Sequence, residues 1–159
     1  MSELLASLTP VAPRHPLPAR VAYHDACHLA NAQRITAEPR QLLGTVPGLT
    51  LVDVAEPEIC CGSAGIYTLV QPEPAERPGL RKADNLLAGG PDVIATGNAG
   101  CLLQIRRHTG DPGIPVVHPV ELLDASLRGD TSILRAAHPP RGLPGPDSVP
   151  ADPQDAPRP

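Results

Sequence analysis

Apolar and polar positions run along this chain in short blocks of two kinds. RVAYHD (20–25) reads as a strand. Residues 29–43 place Leu29, Ala32, Ile35, Leu42 and Leu43 at partly helical spacing, with Pro39 as an interruption. LTLVDVA (49–55) alternates as a second strand does. LRKADNLLA (80–88) sets Leu80, Ala83, Leu86 and Leu87 on one helical face, and Gly89-Gly90 supplies the stop. DVIATG (92–97) reads as a third strand, GCLLQIRRH (100–108) as a helix, IPVVHP (114–119) as a fourth strand and VELLDASLRG (120–129) as a helix closed by Gly129. This alternation predicts an α/β fold: an open, largely parallel sheet of about four strands with flanking helices. In such sheets the loops leaving the C-terminal ends of the strands form the binding crevice.

The pattern fails at both ends. Residues 1–19 carry Pro10, Pro13, Pro16 and Pro18 and read as an extended lead-in. From Pro139 to Pro159, eight of 21 residues are proline, among Asp, Gly and Arg. Such a stretch lacks the apolar surface to offset its ordering entropy, so residues 130–159 read as a disordered Pro-rich tail. The folded domain is then 20–129. The N-terminus lacks a basic start followed by an apolar block, so no signal peptide is expected. Charged residues, Pro or Gly interrupt every apolar run before it reaches bilayer length.

Composition narrows the chemistry. A net charge of −4 gives no basic footprint, and with no Phe, no Trp and only Tyr23 and Tyr67 there is little to stack on bases, so nucleic acid is not an expected partner. All four cysteines lie within 20–129, spaced C-x32-CC-x39-C. Cys27 follows the first strand, Cys60 and Cys61 the second, and Cys101 the third, at the start of a helix. Three strand ends therefore deliver four thiols to one edge of the sheet.

Several readings of these thiols compete. A lone cysteine is usually an inert small hydrophobe, but four at loops flanked by Gly, Ala or Ser are not. Disulfides need an oxidising compartment. Zinc ligands usually come as C-x2–4-C pairs, which are missing, although four thiols suit a structural zinc site. Adjacent cysteines reach two irons of a polynuclear centre more easily than one small ion. Gly62, Gly65, Gly97 and Gly100 permit the close backbone approach an anionic cluster needs, though simple turn chemistry explains each one singly. A helix N-terminus at Cys101 favours its thiolate.

YHDACHL, CCGSAGIYTLVQPE, RKADNLL, DVIATGNAGCLLQI and HPVELLDASL together resemble successive blocks of the cysteine-rich CCG domain. That domain occurs in heterodisulfide reductase and in the iron–sulfur subunits of glycolate oxidase, lactate-utilisation and related flavin-linked dehydrogenases. The resemblance covers about 20–129, and is greatest to the C-terminal repeat of the glycolate oxidase iron–sulfur subunit. It implies a Rossmann-like CCG fold and a [4Fe–4S] cluster, non-cubane in some members. Its ligands would be Cys27, Cys60, Cys61 and Cys101, with Gly62, Gly65, Asn98 and Gly100 in support. The implied role is electron transfer from a flavin-linked 2-hydroxy acid dehydrogenase to an acceptor, beside an FAD-linked oxidase subunit and other iron–sulfur modules. The implied place is the cytoplasm, at the inner face of the membrane. The alternatives are a heterodisulfide reductase-like thiol/disulfide component and a zinc-binding assembly module.

Three features depart from the family pattern. Asn98 stands where many members have the first cysteine of Cys-x-x-Cys. No C-x2-C-x2-C ferredoxin run is present. Pro74 and Pro78 fall where the family runs one helix, and Pro78 is expected to break that helix or to begin it. Among the histidines, His24 and His28 are candidate hydrogen-bond donors or an alternative ligand, and His118 is a weaker site candidate. Asp25 is expected to cap the turn after the first strand, and Glu121 to sit in the first turn of the last helix. The glycines are not in G-x-G-x-x-G order, which speaks against a dinucleotide site.

Overall fold

The computed structural model describes residues 2–7, 12–63, 65, 67–110 and 113–135. Four strands, β1 (Ala19–His24), β2 (Leu49–Val52), β3 (Val93–Thr96) and β4 (Val116–Val117), form one sheet in the order β2-β1-β3-β4. Every pairing is parallel. The helices are α1 (Ser2–Ser7), α2 (Ala37–Gly44), α3 (Tyr67–Val70), α4 (Pro72–Leu87), α5 (Ala99–His108) and α6 (Pro119–Arg128). The α/β architecture read from the sequence is therefore the observed one.

Parallel strands need both faces covered, and two packed layers cover them. On one face Val21, Tyr23, Val93 and Ala95 meet Leu42 and Leu43 of α2 and Leu122 and Leu123 of α6. On the other, Ala22 and Ile94 meet Leu86 of α4 and Cys101 and Ile105 of α5. The two central strands separate the layers by simple alternation. The chain leaves β1 towards α2 on the first face and leaves β3 towards α5 on the second. Neighbouring strand ends thus diverge, and a crevice opens between them. This is the topological switch point, where open α/β sheets bind ligands.

Four local expectations need correction. Helix α4 begins at Pro72, not Leu80, and runs through Pro78 without a break. Pro72 takes the first helical position, where a missing N–H costs nothing. The Pro74 carbonyl that residue 78 cannot serve belongs to an exposed residue, where solvent can reach it. Burial of Ala75, Ala83 and Leu86 then holds the helix together. Pro39 does not interrupt a helix; it lies in the first turn of α2. The break comes earlier, where a π-turn (His28–Ala32) ends and Arg34 takes a φ of +58°.

The lead-in is not uniformly extended. Ser2–Ser7 is helical, and Leu5 packs on the first layer. Leu17 is fully buried, and its N–H donates to Pro47 O at 2.8 Å. Beyond Gly129, which closes α6 with a φ of +67°, Ile133 and Leu134 still pack on the same layer. The remainder of the proline-rich segment, 136–159, lies outside the described residues. Among the described residues no helix is long and apolar enough to cross a membrane.

Candidate metal centre

Four thiols meet at the switch point. Cys27 begins the π-turn after β1, Cys60 and Cys61 lie in the loop after β2, and Cys101 is the third residue of α5. Cys61 and Cys101 are buried, Cys60 is half-buried and Cys27 is exposed, so the group has one solvent-facing side. None is in a disulfide. The Sγ atoms of Cys61 and Cys101 and a ring nitrogen of His24 lie within 4.8 Å of one another.

The adjacent pair divides. Cys61 lies beside Cys101 and His24, whereas Cys60 feels Cys27 most among the thiols outside its own pair. Cys61 is pulled down to about 4, first by the Cys101 thiol, with the nearby His24 ring and the Ser63 N–H adding to it against the cost of burial. Cys101 is pushed far up, first by the neighbouring Cys61 sulfur, then by burial and by the charges of Cys61, Cys27 and Cys60. Burial pushes Cys60 up, opposed by the Gly62 N–H, 3.4 Å from its sulfur. One thiolate forms readily here, at Cys61, while Cys60 and Cys101 resist. A cationic centre held among them would remove that resistance, because metal coordination deprotonates thiols outright.

The supporting residues serve the protein's own packing. A Cβ on Gly62 would lie 2.3 Å from the Ala75 carbonyl oxygen of α4, and its φ is +80°. A Cβ on Gly100 would lie 2.7 Å from Ser63 Oγ, so the start of α5 presses on the loop that carries the cysteine pair. Gly65 is exposed with a φ of +62° and open space around it. Asn98 is the N-cap of α5, its Oδ1 accepting from the Cys101 N–H at 2.9 Å. That bond fixes the backbone that aims Cys101.

The other candidates resolve individually. His24 ends β1 and is 1% exposed, while His28 is exposed. His118 caps α6: its Nδ1 accepts from Val120 N–H, and Glu121 accepts from the His118 N–H. Asp25 is not a turn cap. Its two oxygens accept from the Arg40 guanidinium at 2.7 and 2.6 Å, and Arg40 also stacks 5.1 Å from the Tyr23 ring centre. Beside this pair a cleft of about 460 Å³ opens onto Cys27, lined also by Asn31, Thr36 and Glu58.

Two residues that sequence reasoning missed hold the cysteine loop. Lys82 is fully buried, and its Nζ donates to Glu56 O at 2.9 Å and to Pro57 O at 3.1 Å. The Glu56 carboxylate accepts from Arg81 Nε at 2.8 Å and Asn85 Nδ2 at 2.9 Å. One signal was present: Lys82 interrupts the apolar stripe formed by Ala75, Ala83 and Leu86.

The family sequence model for the cysteine-rich domain, CCG, matches residues 21–106, more than half of the chain, and spans all four cysteines. The chain belongs to the CCG cysteine-rich domain family. Within that family it is similar to lactate utilization protein A of Exiguobacterium sp., 34% identical over 70% of this chain and 46% of that protein. It is similar to the glycolate oxidase iron-sulfur subunit of Escherichia coli, 35% identical over 68% of this chain and 26% of that subunit. It is also similar to one subunit of the fumarate reductase (CoM/CoB) of Methanothermobacter marburgensis, 35% identical over 82% of this chain and 27% of that polypeptide. The CCG chain thus spans less than half the length of these curated relatives.

Proposed function

We propose that this chain is an iron–sulfur electron-transfer component, with Cys27, Cys60, Cys61 and Cys101 holding a [4Fe–4S]-type cluster. The observation that carries the reading is the division of the adjacent pair. The Cys61 and Cys101 sulfurs lie with His24 within 4.8 Å of one another, and Cys27 and Cys60 stand outside that close group, which spreads the four thiols rather than putting them on one point. Such a set suits the separated irons of a cluster, and relatives bearing iron–sulfur names support it. When bound, the cluster supplies one-electron oxidation and reduction. The chain's own residues do the rest. Asn98 and Gly100 set the start of α5, α4 holds the cysteine loop, and Cys27 leaves one edge open for an electron partner.

The finer reading is a role beside a flavin-linked 2-hydroxy acid dehydrogenase, with an FAD-linked oxidase subunit and further iron–sulfur modules as partners, peripheral to a membrane. The names of the glycolate oxidase and lactate utilization relatives favour that substrate class. We likewise propose that the folded unit is a single CCG repeat.

A zinc reading retains one observation of its own: the His24, Cys61 and Cys101 donor atoms are close enough for a single ion. Protein purified without oxygen, from cells with cluster-assembly machinery, separates the two. Iron and acid-labile sulfide in stoichiometric amounts, with visible sulfur-to-iron charge-transfer absorption, are expected. Stoichiometric zinc without iron or sulfide would overturn the electron-transfer reading.

A further inference from the structure

At the end of β1 and the end of β3, two polar side chains are sealed in the interior without partners. His24 is 1% exposed and Thr96 is 0% exposed. Neither ring nitrogen of His24, nor the Thr96 hydroxyl, has a hydrogen-bond partner among the described residues. An unpaired donor in a dry interior is costly, and buried polar groups are almost always satisfied. Two such groups side by side, with the Cys61 and Cys101 sulfurs near the His24 ring, leave hydrogen-bonding capacity that the polypeptide alone does not use.

Their placement says where it lies. His24 and Thr96 are paired across the two central strands. Two residues earlier on each strand, Ala22 and Ile94 belong to the packed layer that contains Cys61 and Cys101. Strand alternation therefore turns His24 and Thr96 to the same face as those cysteines. The His24 ring has the sulfurs of Cys61 and Cys101 within 4.8 Å. Both residues stand on hydrogen-bonded central strands, so their direction is set by the sheet and not by a mobile loop.

We infer that His24 and Thr96 are paired positioning donors that hydrogen-bond to the sulfurs of the bound iron–sulfur group and raise its reduction potential. The inference rests on the iron–sulfur reading above. Four thiols already supply the iron ligands, and a Thr hydroxyl is a good donor but a poor iron ligand. An imidazole in either protonation state carries at least one N–H. A cluster becomes more negative on reduction, so donors aimed at its sulfurs favour the reduced form. Removing a donor therefore lowers the potential.

The test compares anaerobically prepared wild type with Thr96→Val, Thr96→Ser and His24→Leu. Iron, sulfide and zinc contents are measured first, and the midpoint potential is then found by spectroscopic titration. Thr96→Val removes only the hydroxyl and keeps the shape. We expect Thr96→Val and His24→Leu to keep wild-type iron and sulfide content. At a fixed ambient potential, the ratio of reduced to oxidised centre should fall roughly three- to tenfold, the size of a typical net hydrogen-bond contribution. Thr96→Ser should restore the wild-type ratio. If His24→Leu does not fold, the Thr96 pair decides alone. An iron-replete Thr96→Val with wild-type potential overturns the inference and leaves the iron–sulfur reading standing. Loss of iron in folded His24→Leu overturns it differently, by making His24 a ligand. Wild type without iron and sulfide overturns the iron–sulfur reading, and this inference with it.

Discussion

At the scale of single residues, the cysteine pair is the informative feature. Because Cys60 and Cys61 face different neighbours, neither can stand in for the other. Cys60→Ser and Cys61→Ser should each lose or convert the cluster, measured as iron per chain and by paramagnetic resonance of the reduced state. On a mononuclear zinc site, one of the two serines would retain nearly full metal. Asn98 shows how one residue can serve fold and site together. Its side chain caps α5 through the Cys101 N–H. Asn98→Cys should therefore lose about 1 kcal/mol of stability as a cap is removed. It should also keep its iron while the electronic spectrum changes, because a new thiol arrives three residues before Cys101. Denaturant unfolding and visible spectra of the same preparation check both parts.

At the scale of elements, α4 is the organising piece. Its first turn presses on Gly62, and its middle grips residues 56 and 57 ahead of the cysteine pair. Gly62→Ala should cost roughly 2–3 kcal/mol, combining a steric conflict with a positive φ. The loss should appear in metal-free protein, which separates it from a cofactor effect. The grip on Glu56 is pH-dependent. Hydrogen bonds from Asn85 and then Arg81 hold its carboxyl below the usual value of 4.5. A depressed carboxylate contributes stability that is fully present above the unfolded value and is lost as pH falls through the folded one. Amide protection of residues 55–61 should therefore be constant above about pH 5 and weaken through the range below 4.5. Glu56→Gln should remove that dependence, and Lys82→Met should lower protection of the same amides at every pH where the lysine is charged. Hydrogen exchange read by mass spectrometry tests both, and equal protection in wild type and Lys82→Met would remove Lys82 from the grip.

At the scale of the whole molecule, the chain spans 46% or less of the length of the curated relatives named above. On the electron-transfer reading it takes electrons from, and passes them to, other polypeptides. Purified alone it should show little dehydrogenase activity with glycolate or lactate and an artificial electron acceptor. Turnover by the chain without any flavoprotein would contradict the proposed division of labour. With a flavoprotein partner, reduction of the cluster absorbance should accompany substrate addition.

Much of this was legible in the chain itself. The short apolar runs at 20–25 and 92–97 and the helical stripe of 120–129 name their elements, because run length and hydrophobic spacing report how a segment is buried. Order along the chain placed each cysteine after a strand, and parallel topology then puts strand ends together. Proline misled where chemistry was read without context. Pro78 sits in a helix that burial of Ala75, Ala83 and Leu86 sustains, a tertiary effect no local rule contains. Likewise, Asp25 could not be matched to Arg40, nor Lys82 to the carbonyls of Glu56 and Pro57, because these partners are distant in sequence and meet only after the sheet forms. The sequence by itself determined which thiols exist and that strand ends would deliver them. The tertiary structure alone decided that Cys61 lies with Cys101 and His24 while Cys27 and Cys60 stand outside that group, and that His24 and Thr96 are buried side by side without a hydrogen bond among the described residues. Those facts depend on the register of β1 against β3 and on the crossing from one face of the sheet to the other, which are set by the packing of both layers at once.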